Sequence, residues 1–450
     1  MAADGVECVG EMGSGQRSKA MVARVSESPF TEVELRRVAE MYGTPAFLVD
    51  EATLGRLVTT LREAYSEYPG ELELAYSMKA NFNPAILRYF IERGLLFDIT
   101  SLGELYFYLN SGGDPKRVIY TSIAEGQEEL LEAARKGVKT YVVSSYNGLK
   151  RVIDAAKRTN TKLQALIRVN PGIEVTAEIS ASLPDGKFGV PLEGSGDDTA
   201  GRLVETLMGA KEVEFLGYHF HLGSQIAETE CFKTVLSLLA DFTERLRITY
   251  PDLKVGVIDV GGGTPVRYLD PVPTPQDIGR VVVATLNRLT GQFGGYPKLI
   301  VESGRYLTAE ACSLVTKVVN IKQHGERKFI FVDAGYHLLL DVALLRQEYP
   351  VQLVDPGEEV GDVKPQLVGS LCDTIDTFPV RDRELLRGAQ LGSLIAFHRV
   401  GAYSVVFNMP FHCSPKPPIV MKRVDGKLVL VRERESLEEL FRSEGGRLAH

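Results

Sequence analysis

The chain has 450 residues, 44% hydrophobic and 24% charged, with a formal net charge of -8. That is too long for one ordinary core, and the acidic, mixed-sign surface argues against nucleic acid or an anionic membrane as the main partner. No run of about 18 apolar residues occurs, so no membrane span is expected. The five cysteines, Cys8, Cys231, Cys312, Cys372 and Cys413, are scattered, and no pair has metal-ligand spacing. The expectation is reduced thiols in the cytosol and no bound metal.

Residues 1–29 are rich in Gly, Ser, Ala and charge and lack a signal peptide's apolar core, so they read as a disordered tail. Thr31-Glu-Val-Glu34 has the capping-box pattern that starts a helix. Gly43-Thr-Pro45 ends it, and Ala46–Asp50 reads as a short strand before an amphipathic helix over 51–68. From residue 71 apolar runs alternate with helical periodicity. The predicted strands are Glu71–Met78, Leu95–Thr100, Val118–Ser122, Thr140–Ser144, Leu163–Val169, Phe215–His221, Val255–Val260 and Lys298–Glu302. Eight such βα units close naturally into an α/β barrel of the (β/α)8 type. An open doubly wound sheet is the alternative, but no Gly-x-Gly-x-x-Gly turn follows the first strand. One connection, 170–200, is a polar, Gly-rich insertion of the kind that is functional or disordered.

After about residue 310 strands follow one another without long helices. Ala402–Val406 is among them, and Asp425-Gly426 marks a hairpin turn. The expected organisation is therefore a tail (1–29), a segment joining the β domain (30–55), a barrel (56–310) and a C-terminal β domain (311–450).

Reactive residues fall at the C-terminal strand ends, where barrel active sites form. Lys79 follows strand one, His221 and Ser224 follow strand six, Gly261, Gly262 and Gly263 follow strand seven, and Glu302, Gly304 and Arg305 end strand eight. A lysine closing a buried strand is expected to have a lowered pKa and to serve as a nucleophile. The glycines let backbone N–H groups approach an anion, and Arg305 adds a cation. A lysine, a phosphate site, an aromatic ring and a carboxylate together suit pyridoxal 5'-phosphate (PLP): Lys79 for the Schiff base, His221 stacked on the ring, Glu302 at the ring nitrogen.

These pieces, in order, carry a resemblance: Tyr42-Gly-Thr-Pro45, Tyr76-Ser-Met-Lys79-Ala-Asn81, Asp98-Ile-Thr-Ser-Leu-Gly-Glu-Leu105, Arg168-Val-Asn-Pro-Gly172, Lys187-Phe-Gly189, His219-Phe-His-Leu-Gly-Ser-Gln225, Asp259-Val-Gly-Gly-Gly263, Glu302-Ser-Gly-Arg305, Cys372-Asp373 and Gly401-Ala-Tyr403. From about residue 40 to 440 the chain resembles the fold-type III PLP-dependent decarboxylases, the group of diaminopimelate, ornithine and arginine decarboxylases, with the diaminopimelate enzymes nearest in motifs. The resemblance implies a two-domain homodimer with shared active sites that acts on a small amino acid. It assigns Lys79, His221, Glu302 and Cys372 to catalysis, and Ser224, Gly261, Gly262, Gly263, Gly304, Arg305 and Tyr403 to the cofactor. Cys372 would reprotonate the substrate carbon after CO2 leaves, and Asp373 with Arg305 would hold the substrate; Asp341, a departure from the family, is expected to join them there.

The departures concern the substrate. Asp341 and Leu345 stand where diaminopimelate decarboxylases usually have an Arg for the distal carboxylate and a Tyr. Position 373 is Asp, as in ornithine decarboxylases, rather than Glu; Asn408-Met-Pro-Phe411-His412 replaces a Ser-Asn-Tyr-Asn run; and Ser303 replaces a common Pro. The expectation is decarboxylation of an amino acid with a distal amine or other cation. Diaminopimelate itself and a modified amino acid of a specialised pathway are the alternatives, and a racemase or an inactive regulatory relative follows behind them.

Overall fold

The computed structural model describes residues 28–358 and 365–446. Residues 1–27 of the expected tail lie outside that range. Eight parallel strands close into a barrel: Leu72–Ser77, Leu96–Ile99, Val118–Tyr120, Thr140–Val143, Leu163–Arg168, Val213–His219, Val257–Asp259 and Lys298–Ser303. The last pairs back onto the first, with Glu302 opposite Ala75. Most of the helices between them start at side-chain caps that satisfy otherwise orphaned N–H groups. Ser101 accepts from Glu104 N, Ser145 from Gly148 N and Thr199 from Arg202 N. Thr274 forms a full capping box with Asp277, with Pro275 in the first turn.

One apolar residue from each strand plugs the barrel: Ala75, Leu96, Ile119, Val142, Leu166, Leu216, Val257 and Ile300. Strand residues alternate between faces, so the residue two positions further along returns to the interior. That parity delivers Ser77, Asp98, Arg168, Asp259 and Glu302 into the barrel above the plug, all buried. The sixth strand breaks parity. Its register slips opposite Ala165 and Leu166. At Gly217 (φ 149°) a Cβ would stand 2.0 Å from Val257 O, so no larger residue fits. This bulge turns Tyr218 out against Phe242 and His219 in toward Glu302.

A nine-stranded sheet forms the other layer. Its longest strand, Cys312–His324, pairs with Ala46–Asp50, Arg327–Val332 and Leu394–His398. Ala46–Asp50 is buried along its whole length and pairs on its other side with Ile419–Lys422. Asp425-Gly426 turns that strand into Leu428–Arg432, with Gly426 at φ 80°.

One expectation needs correction. Ala402–Val406 is not a strand. Gly401 packs so closely on the barrel that a Cβ would meet Thr308 O at 1.8 Å, and Tyr403 (φ 57°) donates its N–H to Ala80 O. The segment spends its backbone hydrogen bonds on the barrel rim instead of the sheet, then forms a short 3-10 turn at Val405–Phe407. The 170–200 insertion is partly ordered: Ala177–Ser180 pairs antiparallel with Gly223–Ile226, which laces the insertion to the segment carrying Ser224. Among the described residues no helix is long and apolar enough to cross a membrane.

Candidate active site

Lys79 lies in a 3-10 turn, Met78–Ala80, at the end of the first barrel strand. The turn is clamped. Tyr76 Oη donates to Asn81 O (2.7 Å), Asn81 Nδ2 donates to Gly401 O (2.9 Å), and Tyr403 N donates to Ala80 O. The Lys79 side chain keeps 40% of its surface open, and its Nζ stands 3.4 Å from Asp98 Oδ2. Burial alone would lower the pKa of this ammonium, but Asp98, Tyr403 and Glu302 outweigh burial and the opposing Arg168, and they raise it. The expected lowering is therefore reversed, because the interior of this barrel is lined with carboxylates.

Above the plug His219 Nε2 approaches Glu302 Oε1 to 3.3 Å with both side chains almost fully buried. Neither atom gains an aligned hydrogen bond among the described residues, and Asp98 Oδ1 and Asp259 Oδ2 are likewise without one. Burial pushes both Glu302 and Asp259 upward. For Glu302, the neighbouring His219, Lys79 and Arg168 more than offset burial and hold the carboxyl below its usual range. Asp259 faces the charge of Glu302 and is pushed well above it, against a single 2.9 Å hydrogen bond from Gly261 N. One carboxyl is thus biased toward its ionised form and its neighbour toward its neutral form.

Two residues beyond His219, His221 accepts from Gly262 N at Nδ1 (3.1 Å). Burial, Lys79 and Arg168 hold its pKa well below the ordinary histidine value, so the ring is neutral with its proton on Nε2. Gly261 (φ 66°) and Gly263 (φ 105°) take left-handed backbone. A Cβ on Gly262 would stand 3.5 Å from His221 Cε1, and one on Gly304 would meet Ala80 Cβ at 2.9 Å.

Arg305, buried, donates from Nε to Ser224 Oγ (3.3 Å) and from Nη1 to Tyr268 Oη (3.0 Å) and Asp341 Oδ2 (3.3 Å). Glu178 Oε2 lies 3.5 Å from its Nη2, and its guanidinium carbon sits 4.7 Å from the centre of the Tyr403 ring. Lys79, His221, Ser224, Gly261, Gly262, Gly263, Glu302, Gly304, Arg305, Tyr403 and Asp341 are thus linked at one rim.

Cys372 and Asp373 are not. Both are exposed, and the hydrogen bonds of Asp373 run to Tyr336 Oη (2.9 Å) and Ile375 N on the β domain. Phe411, 39% exposed, lies against Tyr336 with ring centres 6.2 Å apart. Sequence reasoning gave no role to Asp98, Arg168, His219 or Asp259. Counting two residues on from each plug position would have found all but His219, which the Gly217 bulge conceals. Nothing in the sequence marks Glu178 or Tyr268.

His219, Asp259 and Glu302 bring ligand atoms within 4.8 Å of one another, a set a metal ion could use. A metal site has no need of the adjoining lysine, neutral imidazole and glycine cradle, whereas PLP uses all three. The unpaired Glu302 oxygen, the bare backbone at Gly261–Gly263 and the open Lys79 amine fit that cofactor.

Comparison with known proteins agrees. The family described as pyridoxal-dependent decarboxylase, pyridoxal binding domain, matches residues 54–309. The diaminopimelate decarboxylase of Vibrio cholerae is 31% identical over 420 residues, 91% of this chain and 94% of that protein. That of Pseudomonas aeruginosa is 30% identical over 415 residues, 92% and 95% of the two chains. Among solved structures, diaminopimelate decarboxylase from Helicobacter pylori complexed with L-lysine superposes with a TM-score of 0.80 at 26% identity, covering 91% of this chain and 99% of that one. The Methanocaldococcus jannaschii enzyme in complex with L-lysine gives 0.82 at 25% identity, covering 91% and 94%. With its barrel, its β domain and its lysine-centred pocket, the chain belongs to the PLP-dependent amino-acid decarboxylases.

Proposed function

We propose that this enzyme decarboxylates an amino acid bearing a distal amine or other cation, such as ornithine, lysine or arginine. The observation that carries this reading is the Arg305–Asp341 pair. An arginine free to receive a distal carboxylate would favour diaminopimelate. Here Arg305 is already engaged by Asp341, and a second buried anion beside Asp341 would be repelled. The second reading, diaminopimelate decarboxylase proper, is favoured by the names of the 30–31% identical relatives.

PLP, once bound, supplies the electron sink for the charge left when CO2 departs. Lys79 is the residue that would hold it covalently. Glu302, kept ionised by His219, Lys79 and Arg168, would hold a proton at the ring nitrogen. Neutral His221 would pack on the ring face, and a neutral ring there adds no like charge to that proton. Gly261–Gly263, Gly304, Ser224 and Tyr403 would receive the phosphate, and Arg305, held by Asp341, would face the substrate. Cys372 would return a proton to the substrate Cα and Asp373 would hold the distal end. Both are exposed on the β domain and away from their own pocket, which supports a homodimer in which each copy completes the other's site. The described cysteines are all free thiols, which supports a reducing, cytosolic location.

The test is CO2 release from ornithine, lysine, arginine and diaminopimelate. Turnover of at least one of the first three above diaminopimelate is expected. Efficient turnover of diaminopimelate with none of the others establishes the second reading instead.

A further inference from the structure

We infer that Glu178 is a specificity-determining residue, forming with Asp341 a two-carboxylate wall that holds the distal ammonium of a diamino-acid substrate. This rests on the proposed preference for a distal cation and names a residue that enforces it.

Charge is the first argument. Among the described residues the ion pairs of Glu178 and Asp341 lead to one cation, Arg305, at 3.5 and 3.3 Å. Two carboxylates therefore face one guanidinium, with the Asp341 and Arg305 side chains each 6% exposed and that of Glu178 22% exposed. A second cation balances the cluster; another carboxylate, as on diaminopimelate, adds to the excess. Burial raises the pKa of both acids against the pull of Arg305, and Asp341 raises that of Glu178 a little further.

Placement is the second argument. Glu178 sits on Ala177–Ser180, the strand that orders the long insertion, and the pairing of that strand with Gly223–Ile226 sets Ile179 opposite Ser224. The strand runs along the surface, yet the Glu178 side chain reaches the buried Arg305. Arg305 in turn stacks on Tyr403, whose backbone N–H is bonded to Ala80, next to Lys79. The acidic pair is thus linked to the turn that carries the reactive lysine through Arg305 and Tyr403.

An unpaired group is the third. The Tyr349 hydroxyl is buried with no hydrogen-bond partner among the described residues, in a side chain 3% exposed. Tyr268, Asp341 and Arg305 act on it electrostatically, and the Ser404 hydroxyl beside it is turned to Ala402 O, so the phenol has no aligned partner. A substrate ammonium carries three donors: two carboxylates and a phenol oxygen are a matching set.

The test compares the wild-type holoenzyme with Glu178→Gln and Glu178→Asp. Steady-state kinetics are measured on lysine, ornithine and diaminopimelate, and calorimetry follows binding of cadaverine and of pentylamine, which lacks the second amine. For Glu178→Gln the expected result is a KM for the preferred diamino acid raised roughly tenfold with a smaller change in kcat. Cadaverine should weaken by a similar factor and pentylamine should be unchanged, while diaminopimelate gains relative to lysine; Glu178→Asp should recover part of the cadaverine affinity. If the wild type turns over lysine or ornithine and Glu178→Gln alters neither KM nor cadaverine affinity, the role of Glu178 is overturned and the substrate reading stands. If the wild type uses diaminopimelate alone, the substrate reading falls and this inference with it.

Discussion

At the scale of single residues, the chemistry of the pocket turns on how carboxylates are distributed around Lys79. Asp98, 3.4 Å away, is the strongest of the groups raising the ammonium pKa, ahead of Tyr403 and Glu302. Only the neutral amine can attack an aldehyde, so the reactive fraction shrinks as the pKa rises. Asp98→Asn removes the leading upward influence and lets burial count for more, so the Lys79 pKa falls. The apoprotein should then capture added PLP at lower pH than wild type, read as growth of the visible absorbance band that borohydride bleaches. Lys79→Ala, as the control, should form no bleachable band and lose activity roughly a thousandfold or more. An unchanged pH midpoint in Asp98→Asn would mean that Asp98 does not govern this amine. The sequence shows that a lysine ends a strand; it does not show which acids surround it, because Asp98 and Glu302 come from two other strands and meet it only when the barrel closes.

At the scale of elements, the anion cradle depends on two backbone segments approaching more closely than side chains allow. Gly263 has φ 105°, and a Cβ on it would lie 2.4 Å from Ile226 Cδ1 and 2.7 Å from Gly223 O. Gly263→Ala should therefore cost about 1–3 kcal/mol in unfolding free energy by denaturant titration. It should also weaken PLP retention more than a destabilising change at a site remote from the loop, such as Leu131→Ala in a barrel helix. Equal PLP loss in the two variants would reduce the cradle to a matter of general stability. This loop is legible in the sequence as three consecutive glycines after a strand, and the barrel strands are legible because fully buried parallel strands leave short apolar runs bounded by turns. What periodicity misreads is the segment after Gly401. Its apolar, β-branched composition, Ala402 to Val406, is that of a strand, but it packs on the barrel rim rather than pairing in the sheet. The Gly217 bulge is hidden for a similar reason: one extra residue in a strand leaves the local pattern nearly unchanged and reverses which side chain faces inward.

At the scale of the whole molecule, the fold of a single chain separates two halves of one expected site. Lys79, His221 and Glu302 line the barrel, whereas Cys372 and Asp373 stand exposed on the β domain with their contacts there. Exposed apolar side chains flank that face, among them Ile375 (46%) and Phe411 (39%). A twofold dimer would bury such a face and carry each Cys372 to the other copy's Lys79, because an isologous interface applies every contact twice. In such a dimer two differently disabled chains would repair one another. Lys79→Ala and Cys372→Ala, each with little activity alone, should recover about a quarter of wild-type activity when unfolded together and refolded in equal amounts. Random pairing makes about half the dimers mixed, and each mixed dimer holds one intact site of two. A site complete within one chain predicts no recovery, since neither chain then contains both residues. Mixed dimers isolated by two different affinity tags settle the matter: about half of wild-type activity supports the shared site, and inactivity in confirmed mixed dimers rules it out.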